Sequence, residues 1–489
     1  MKPLPFLIPR VRGTHISRQD VGLEDMRDPL DALFKPRSVA LIGASSNPTK
    51  LSHIALKNMK GGSFRLYPVN PKTDRILGLK TYASVRDIPG PVDLAVISLP
   101  AERSAEPLEE CVEKKVKVAA VTSSGFRETG PEGARLERGL LDAVRGSGTR
   151  ILGPNTMGVF VPSIGLDTYF IPKERSPRPG AGSIALLSQS GAVSVSFLER
   201  AAESGIGISA CVGLGNKCDI DENDLLSYLQ RHAPSRCVAM YLESFSNGRR
   251  FEELARKITI QKPIVVLKSG RTGAGVQAAA SHTGALARGA DAITTGALRQ
   301  VGAVRVFDEE ELLDCAKVLV HVGSIAGNRI CVVASAGGYG VIASDLVESE
   351  HRGAGMRMAT ISEKTRKAIE SLVPDYGSAR NPVDLTAGVT DDMYESVLKA
   401  LQADPNIDGI MMSLELQPPF ITRRLIEIAE KRASSRGAPV VVCGFGGRKT
   451  TDVLRELEKR NVPAYPTLWR AVRALRALAD RGSYLKKRK

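Results

Sequence analysis

The chain has 489 residues, 43% of them hydrophobic and 25% charged, with 46 glycines and one tryptophan, a profile that excludes disordered and fibrous classes. At about 100 to 200 residues per domain, this length predicts about three domains, each able to bury its own core. The net charge of +15 favours anionic partners, yet the basic residues are dispersed except for "KKRK" at 486–489, so phosphorylated small molecules are expected and nucleic acid is not.

The seven cysteines (Cys111, Cys211, Cys218, Cys237, Cys315, Cys331 and Cys443) are scattered and never in C-x-x-C spacing, which argues against a zinc site or a disulfide framework. No apolar run approaches the roughly 18 residues that span a bilayer, and "MKPLPFLIPRVRG" is broken by Pro and Arg before a signal core forms. A cytoplasmic chain with no membrane contact and no bound metal is the expectation.

Residues 1–29 show no clear periodicity and read as an N-terminal extension. From "VALIGAS" (39–45) onward, short apolar runs alternate with helix-compatible stretches: "RLYPVN" (65–70), "LAVISLP" (94–100), "VAAVTSSG" (118–125) and "RILGP" (150–154). Buried parallel strands have this pattern, so an open α/β unit is predicted over 30–165. After the Pro- and Gly-rich "IPKERSPRPGAG" (171–182), the pattern resumes with "SIALLSQ", "SACVGLG", "CVAMYLE" and "PIVVLKSG", predicting a second unit over 180–326. A third, over 327–489, runs through "RICVVASAGG", "GIMMSLEL" and "PVVVCGFGG". The second and third units open alike, with Ser188-Gln189-Ser190-Gly191 matched by Ser335-Ala336-Gly337-Gly338, each between an apolar strand and a helical stretch. Two copies of one fold are the simplest reading.

Three stretches are equipped for chemistry. In the first unit, Gly43, Ala44 and Ser45, with Asn70 and Lys72, Ser98 and Pro100, and Ser123, Ser124 and Gly125, all stand where strands end. Strand ends of a parallel sheet converge on one edge, so together they would line a nucleotide-sized crevice, although a tight turn alone explains Gly-Ala-Ser equally well. In the second unit, the small residues of "SQSGAVS" let backbone amides approach an anion at a helix start, or merely punctuate strand and helix. Glu243 closes an apolar strand, either as a solvated loop residue or as the acceptor that fixes the tautomer of an imidazole. His282, one of six histidines, stands in "QAAASHTGALARG", where neighbouring side chains are small. Attack by a neutral imidazole on an activated phosphoryl group gives a phosphohistidine, and a loop of small residues would let that group swing between two sites. His15, His53, His232, His321 and His351 lack motif context and read as structural or surface residues.

"VALIGAS", "GPNTMG", "LLSQSGAVS", "YLES" with "GRRF", "AAASHTGALA" and "RNPVDLT" occur in the order found in the nucleoside-diphosphate-forming acyl-CoA synthetases, and the chain resembles that family from about residue 30 to its end. The resemblance implies an N-terminal Rossmann-like CoA-binding domain followed by two flavodoxin-like CoA-ligase domains. It further implies that His282 is the phosphorylated histidine, that Glu243 steadies it, and that Ser190, Gly191 and Asn155 lie at the phosphate site. Gly43, Ala44, Ser45, Lys72, Ser98, Pro100, Thr122, Ser123 and Ser124 match positions that hold CoA. Thr156 stands where relatives often carry Cys.

No ATP-grasp-like stretch is found, so the resemblance also implies a separate ATP-grasp beta subunit that binds ADP or ATP with Mg2+, in an α2β2 assembly acting on a small carboxylic acid and phosphate. A CoA-binding regulatory subunit without turnover is the alternative, although it would need neither His282 nor Glu243. A Rossmann oxidoreductase is disfavoured, because the G-x-G-x-x-G fingerprint and its acidic ribose partner are absent.

Overall fold

The computed structural model describes residues 28–283, 291–349 and 355–488, and its three principal sheets follow one plan. The first is wholly parallel, in the order Arg65–Val69, Ser38–Ile42, Leu94–Ile97, Val118–Val121, Arg150–Leu152. Ser38–Ile42, Leu94–Ile97 and Val118–Val121 are buried at every residue, as uninterrupted apolar runs require when helices cover both faces.

The second sheet repeats this order with Ile208–Gly213, Ala181–Ser188, Cys237–Leu242, Ile264–Lys268 and Val304–Val306. The third does so with Arg357–Met358, Arg329–Ala334, Gly409–Leu414, Val440–Gly444 and Ala464–Tyr465, while Val383–Asp384 pairs beside Arg329–Ala334. Each sheet therefore has the flavodoxin-like 2-1-3-4-5 arrangement, whose order reverses between its first and third strands; the crevice beyond those two strand ends is where such sheets bind ligands.

The chain enters the second sheet earlier than the 30–165 boundary predicts. Val159–Val161 pairs antiparallel with Ile208–Gly213, and Leu166–Asp167 pairs antiparallel with Val159–Val161. These strands are only three and two residues long, too short to give a periodic signal. They cover the edge of Ile208–Gly213, and the first two units are further tied by Arg150, whose Nε lies 2.9 Å from Asp219 Oδ1.

The third unit is fastened to the second by helix Leu468–Lys486, which packs on helix Glu309–His321 within one shared apolar cluster. Two ion pairs, the first buried and the second half-buried, reinforce the joint: Lys317 Nζ is 2.6 Å from Glu458 Oε1, and Arg470 Nε is 2.6 Å from Asp314 Oδ2.

Two expectations about local structure change. The helix after the first strand begins at Leu51, so Gly43, Ala44 and Ser45 lie in an intervening loop and not at a helix start. The segment expected as a loop around His282 is helical through Gly273–Thr283, because its alanines favour helix; the His282 side chain and residues 284–290 lie outside the described part.

Candidate active site

The first-unit residues do gather at one sheet edge. Gly43 adopts φ +85°, and a Cβ there would lie 2.5 Å from the Ser98 carbonyl oxygen, so only glycine lets the first strand's turn pack against the end of the third. The Gly43 and Ala44 N–H groups both donate to the Val69 carbonyl, at 3.1 and 3.2 Å, which commits them to the protein. Asn70 Nδ2 donates to the Ala44 carbonyl at 2.6 Å and its Oδ1 accepts from the Lys72 N–H at 2.8 Å. Lys72 itself is exposed. Pro100 precedes the helical turn Ala101–Arg103, and the Thr122 N–H donates to the Ile97 carbonyl at 3.0 Å. Ser124 is exposed, and the Ser123 hydroxyl is buried without a hydrogen-bond partner. His53, read as structural, places Nδ1 2.8 Å from the Ser45 carbonyl.

Asn155 links this edge to the second unit. Its N–H donates to the Ser123 carbonyl at 2.9 Å, and its Nδ2 lies 3.5 Å from Asn216 Oδ1. Two residues on, Met157 reaches the start of helix Gly191–Ser204: a Cβ on Gly191 would sit 2.8 Å from Met157 Cγ. Ser190 caps that helix by accepting from the Val193 N–H at 3.4 Å. A fourteen-residue helix directs its unpaired N–H groups and positive dipole end toward this turn, which suits an anion.

Glu243 follows Cys237–Leu242, the third strand of its sheet, and is 2% exposed. It is no solvated loop carboxylate. The Tyr241 hydroxyl donates to its Oε1 at 3.3 Å, and its backbone N–H donates to Gln189 Oε1 at 2.7 Å. Glu243 and the Ser190–Gly191 turn thus follow neighbouring strand ends at the point where the strand order reverses.

Three residues here were not singled out from sequence. Gln189 joins the two strand ends, accepting also from the Ser244 N–H at 3.1 Å. Lys217 Nζ, buried, bonds Glu222 Oε2 and the Ser244 carbonyl, each at 2.8 Å, and so holds the segment after Glu243 from below. Lys268 is 8% exposed, and its Nζ donates to the Ser269 carbonyl at 2.5 Å. Burial, with the nearby Arg305 charge, pulls its pKa below the usual lysine value against the opposing fields of Asp291 and Glu243. A lysine closing the apolar run "IVVLK" was the available signal. Among the described residues, no group of three or more His, Cys, Asp or Glu side chains is placed to hold a metal ion. No helix among them is long and apolar enough to cross a membrane.

The third unit repeats the arrangement in altered form. Glu415 follows Gly409–Leu414 and accepts from the Ser335 hydroxyl at 2.5 Å, across the same reversal of strand order.

Three family models match the chain in sequence: a CoA binding domain over residues 37–162, a succinyl-CoA ligase like flavodoxin domain over 181–319 and a Ligase-CoA domain over 330–478. The alpha subunit of ADP-forming acetate–CoA ligase I of Pyrococcus furiosus is 38% identical over 457 residues, covering 92% of this chain and 97% of that one. ADP-forming acetate–CoA ligase I of Archaeoglobus fulgidus is 35% identical over 94% of this chain, which spans 64% of that longer protein. Among solved structures, a dinucleotide-forming acetyl-coenzyme A synthetase of Ca. Korarchaeum cryptofilum, in complex with phosphate and ADP, superposes with a TM-score of 0.85 at 32% identity, covering 94% of this chain and 98% of that one. Likeness over nearly the whole length of an acetate–CoA ligase alpha subunit disfavours a regulatory subunit without turnover. The chain belongs to the ADP-forming acyl-CoA synthetases, as an alpha-type chain of a catalytic acid–CoA ligase.

Proposed function

We propose that this chain interconverts acyl-CoA, ADP and phosphate with free acid, CoA and ATP, acting with a separate ATP-grasp beta subunit in an α2β2 heteromer. An oxygen of inorganic phosphate attacks the thioester carbonyl of an acyl-CoA held along the first unit's crevice. The C–S bond breaks, CoA leaves as a thiolate and takes a proton, and acyl phosphate remains. A ring nitrogen of His282 then attacks phosphorus; the bond from phosphorus to the acyl oxygen breaks and the carboxylate departs. Glu243 holds the imidazole in the attacking tautomer and stabilises its positive charge. The Ser190–Gly191 helix start stabilises the phosphoryl oxygens, the dominant contribution in phosphoryl transfer. On the partner subunit, where Mg2+ accompanies the nucleotide, an ADP oxygen takes the phosphoryl group from the N–P bond.

The observation that carries this reading is the placement of buried Glu243 at the strand end next to the Ser190–Gly191 turn, with the Asn155–Met157 segment running from the Ser123 strand end to that same turn. The relatives support the acyl group and the partner: the Pyrococcus chain is the alpha subunit of an acetate–CoA ligase, and somewhat more than a third of the Archaeoglobus relative lies outside the part that this chain matches. A small acid of the acetate class is therefore the proposed substrate, and the cytoplasm, where CoA and ADP abound, the proposed location.

The test is to co-express the chain with candidate ATP-grasp subunits, supply a panel of acyl-CoAs with labelled phosphate and ADP, and locate acid-labile label by mass spectrometry. Label on His282 with ATP formed is expected. His282→Ala should abolish labelling and leave CoA affinity unchanged; CoA binding without label on His282, for every partner and acyl-CoA, would overturn the reading.

A further inference from the structure

Gln189 stands where the second sheet reverses its strand order. It follows the first strand, Ala181–Ser188, and its side-chain oxygen accepts two backbone N–H groups from the end of the third, Glu243 at 2.7 Å and Ser244 at 3.1 Å. Those two donors decide the orientation of the amide. Turning it over would set the NH2 group against two N–H groups, so Nε2 must be the outer atom.

That Nε2 is buried and has no hydrogen-bond partner, in a residue only 4% exposed. An unmet buried donor carries an uncompensated desolvation cost. The orphan lies directly before Ser190, the cap of the fourteen-residue helix, and beside the carboxylate-bearing strand end. Such a crevice is where open α/β sheets bind ligands, and the helix end selects for negative charge.

We infer that the Gln189 side-chain amide is a phosphate-binding group of this site, its Nε2–H donating to an oxygen of the phosphate or phosphoryl group held at the Ser190–Gly191 helix start. The inference rests on the phosphate site of the proposed function and adds to it a donor fixed in direction before any ligand arrives. One side chain then does two things. Its oxygen holds the backbone of Glu243 and Ser244, and its nitrogen marks where a phosphoryl oxygen must lie.

Gln189→Glu is the first variant, because a carboxylate still accepts from Glu243 and Ser244 while it loses the donor and gains a charge. With the full-length chain, inorganic phosphate affinity by calorimetry is expected to fall at least tenfold while CoA affinity stays within twofold; unchanged phosphate affinity overturns the inference. Because a carboxylate also repels a phosphate it does not touch, the deciding measurement is a crystal structure of the wild-type chain with inorganic phosphate. A phosphate oxygen about 2.9 Å from Nε2 is expected. Phosphate bound at the helix start but beyond hydrogen-bond reach of Nε2 overturns this inference alone. No phosphate at the helix start overturns it together with the phosphate site on which it rests.

Discussion

Met157, on the segment leaving the first unit, packs its side chain against Gly191, the first helical residue after the Ser190 cap in the second: a Cβ added to that glycine would lie 2.8 Å from Cγ and 3.3 Å from Sδ. A thioether is flexible, so the contact is adjustable from one side only. Gly191→Ala alone should weaken phosphate binding about tenfold and cost about 1 to 2 kcal/mol. Adding Met157→Ala should restore part of both. A double-mutant cycle read by calorimetry and thermal denaturation tests this, and strict additivity would show that the two side chains are not coupled.

Gly215 has a harder neighbour. Its φ is +56°, and a Cβ would meet the Pro154 carbonyl oxygen at 2.2 Å and that of Asn155 at 2.6 Å. Backbone atoms cannot yield as a side chain does. Gly215→Ala should destabilise the chain by about 2 to 4 kcal/mol and displace Asn155, lowering the urea midpoint and turnover together. A variant with wild-type midpoint would show that the Asn155 turn adapts.

Lys268 is expected to trade stability for function. It is buried, its pKa is lowered chiefly by desolvation, and it lies within the field of Glu243. Replacing such a cation by an apolar chain of similar length removes its desolvation penalty. Lys268→Met should therefore raise the melting temperature while lowering phosphohistidine formation at least tenfold. If melting temperature falls and labelling persists, Lys268 is a structural residue.

His321 gives the joint between the second and third units a pH dependence. Burial, then the charges of Lys317 and Arg236, lower its pKa to about 4, against about 6.5 in an unfolded chain. Between those values the unfolded state takes up a proton and the folded state does not, so stability is full above about pH 6.5 and declines as pH falls toward 4. The loss over that window is on the order of 3 kcal/mol. His321→Asn should flatten this part of the stability profile, as measured by denaturant unfolding from pH 7 to pH 4; an unchanged slope would place the acid sensitivity elsewhere.

Glu243→Gln preserves shape and removes charge. With the tautomer of His282 no longer favoured by a carboxylate, phosphohistidine formation should fall by about a hundredfold or more, by analogy with other carboxylate–histidine pairs, while CoA and phosphate binding remain. Rapid-quench labelling measures this directly.

The sequence by itself determined the three α/β units and their main strands. A buried parallel strand needs an unbroken run such as "VALI" or "IVVL", and that requirement is written in consecutive residues. It also carried the family likeness, and with it the proposal that His282, Glu243 and the Ser190–Gly191 turn form the site. What it could not carry were relations between residues far apart in the chain. The strands at Val159–Val161 and Leu166–Asp167 are too short for periodicity and exist because the edge of Ile208–Gly213 needs covering. The helix through His282 and the loop between Gly43 and Leu51 depend on local backbone balances that motif matching passed over. Gln189 is the plainest case. Between two serines it reads as another polar turn residue, and only the sheet, by placing Glu243 and Ser244 within hydrogen-bond reach of its oxygen, fixes which way its nitrogen must point.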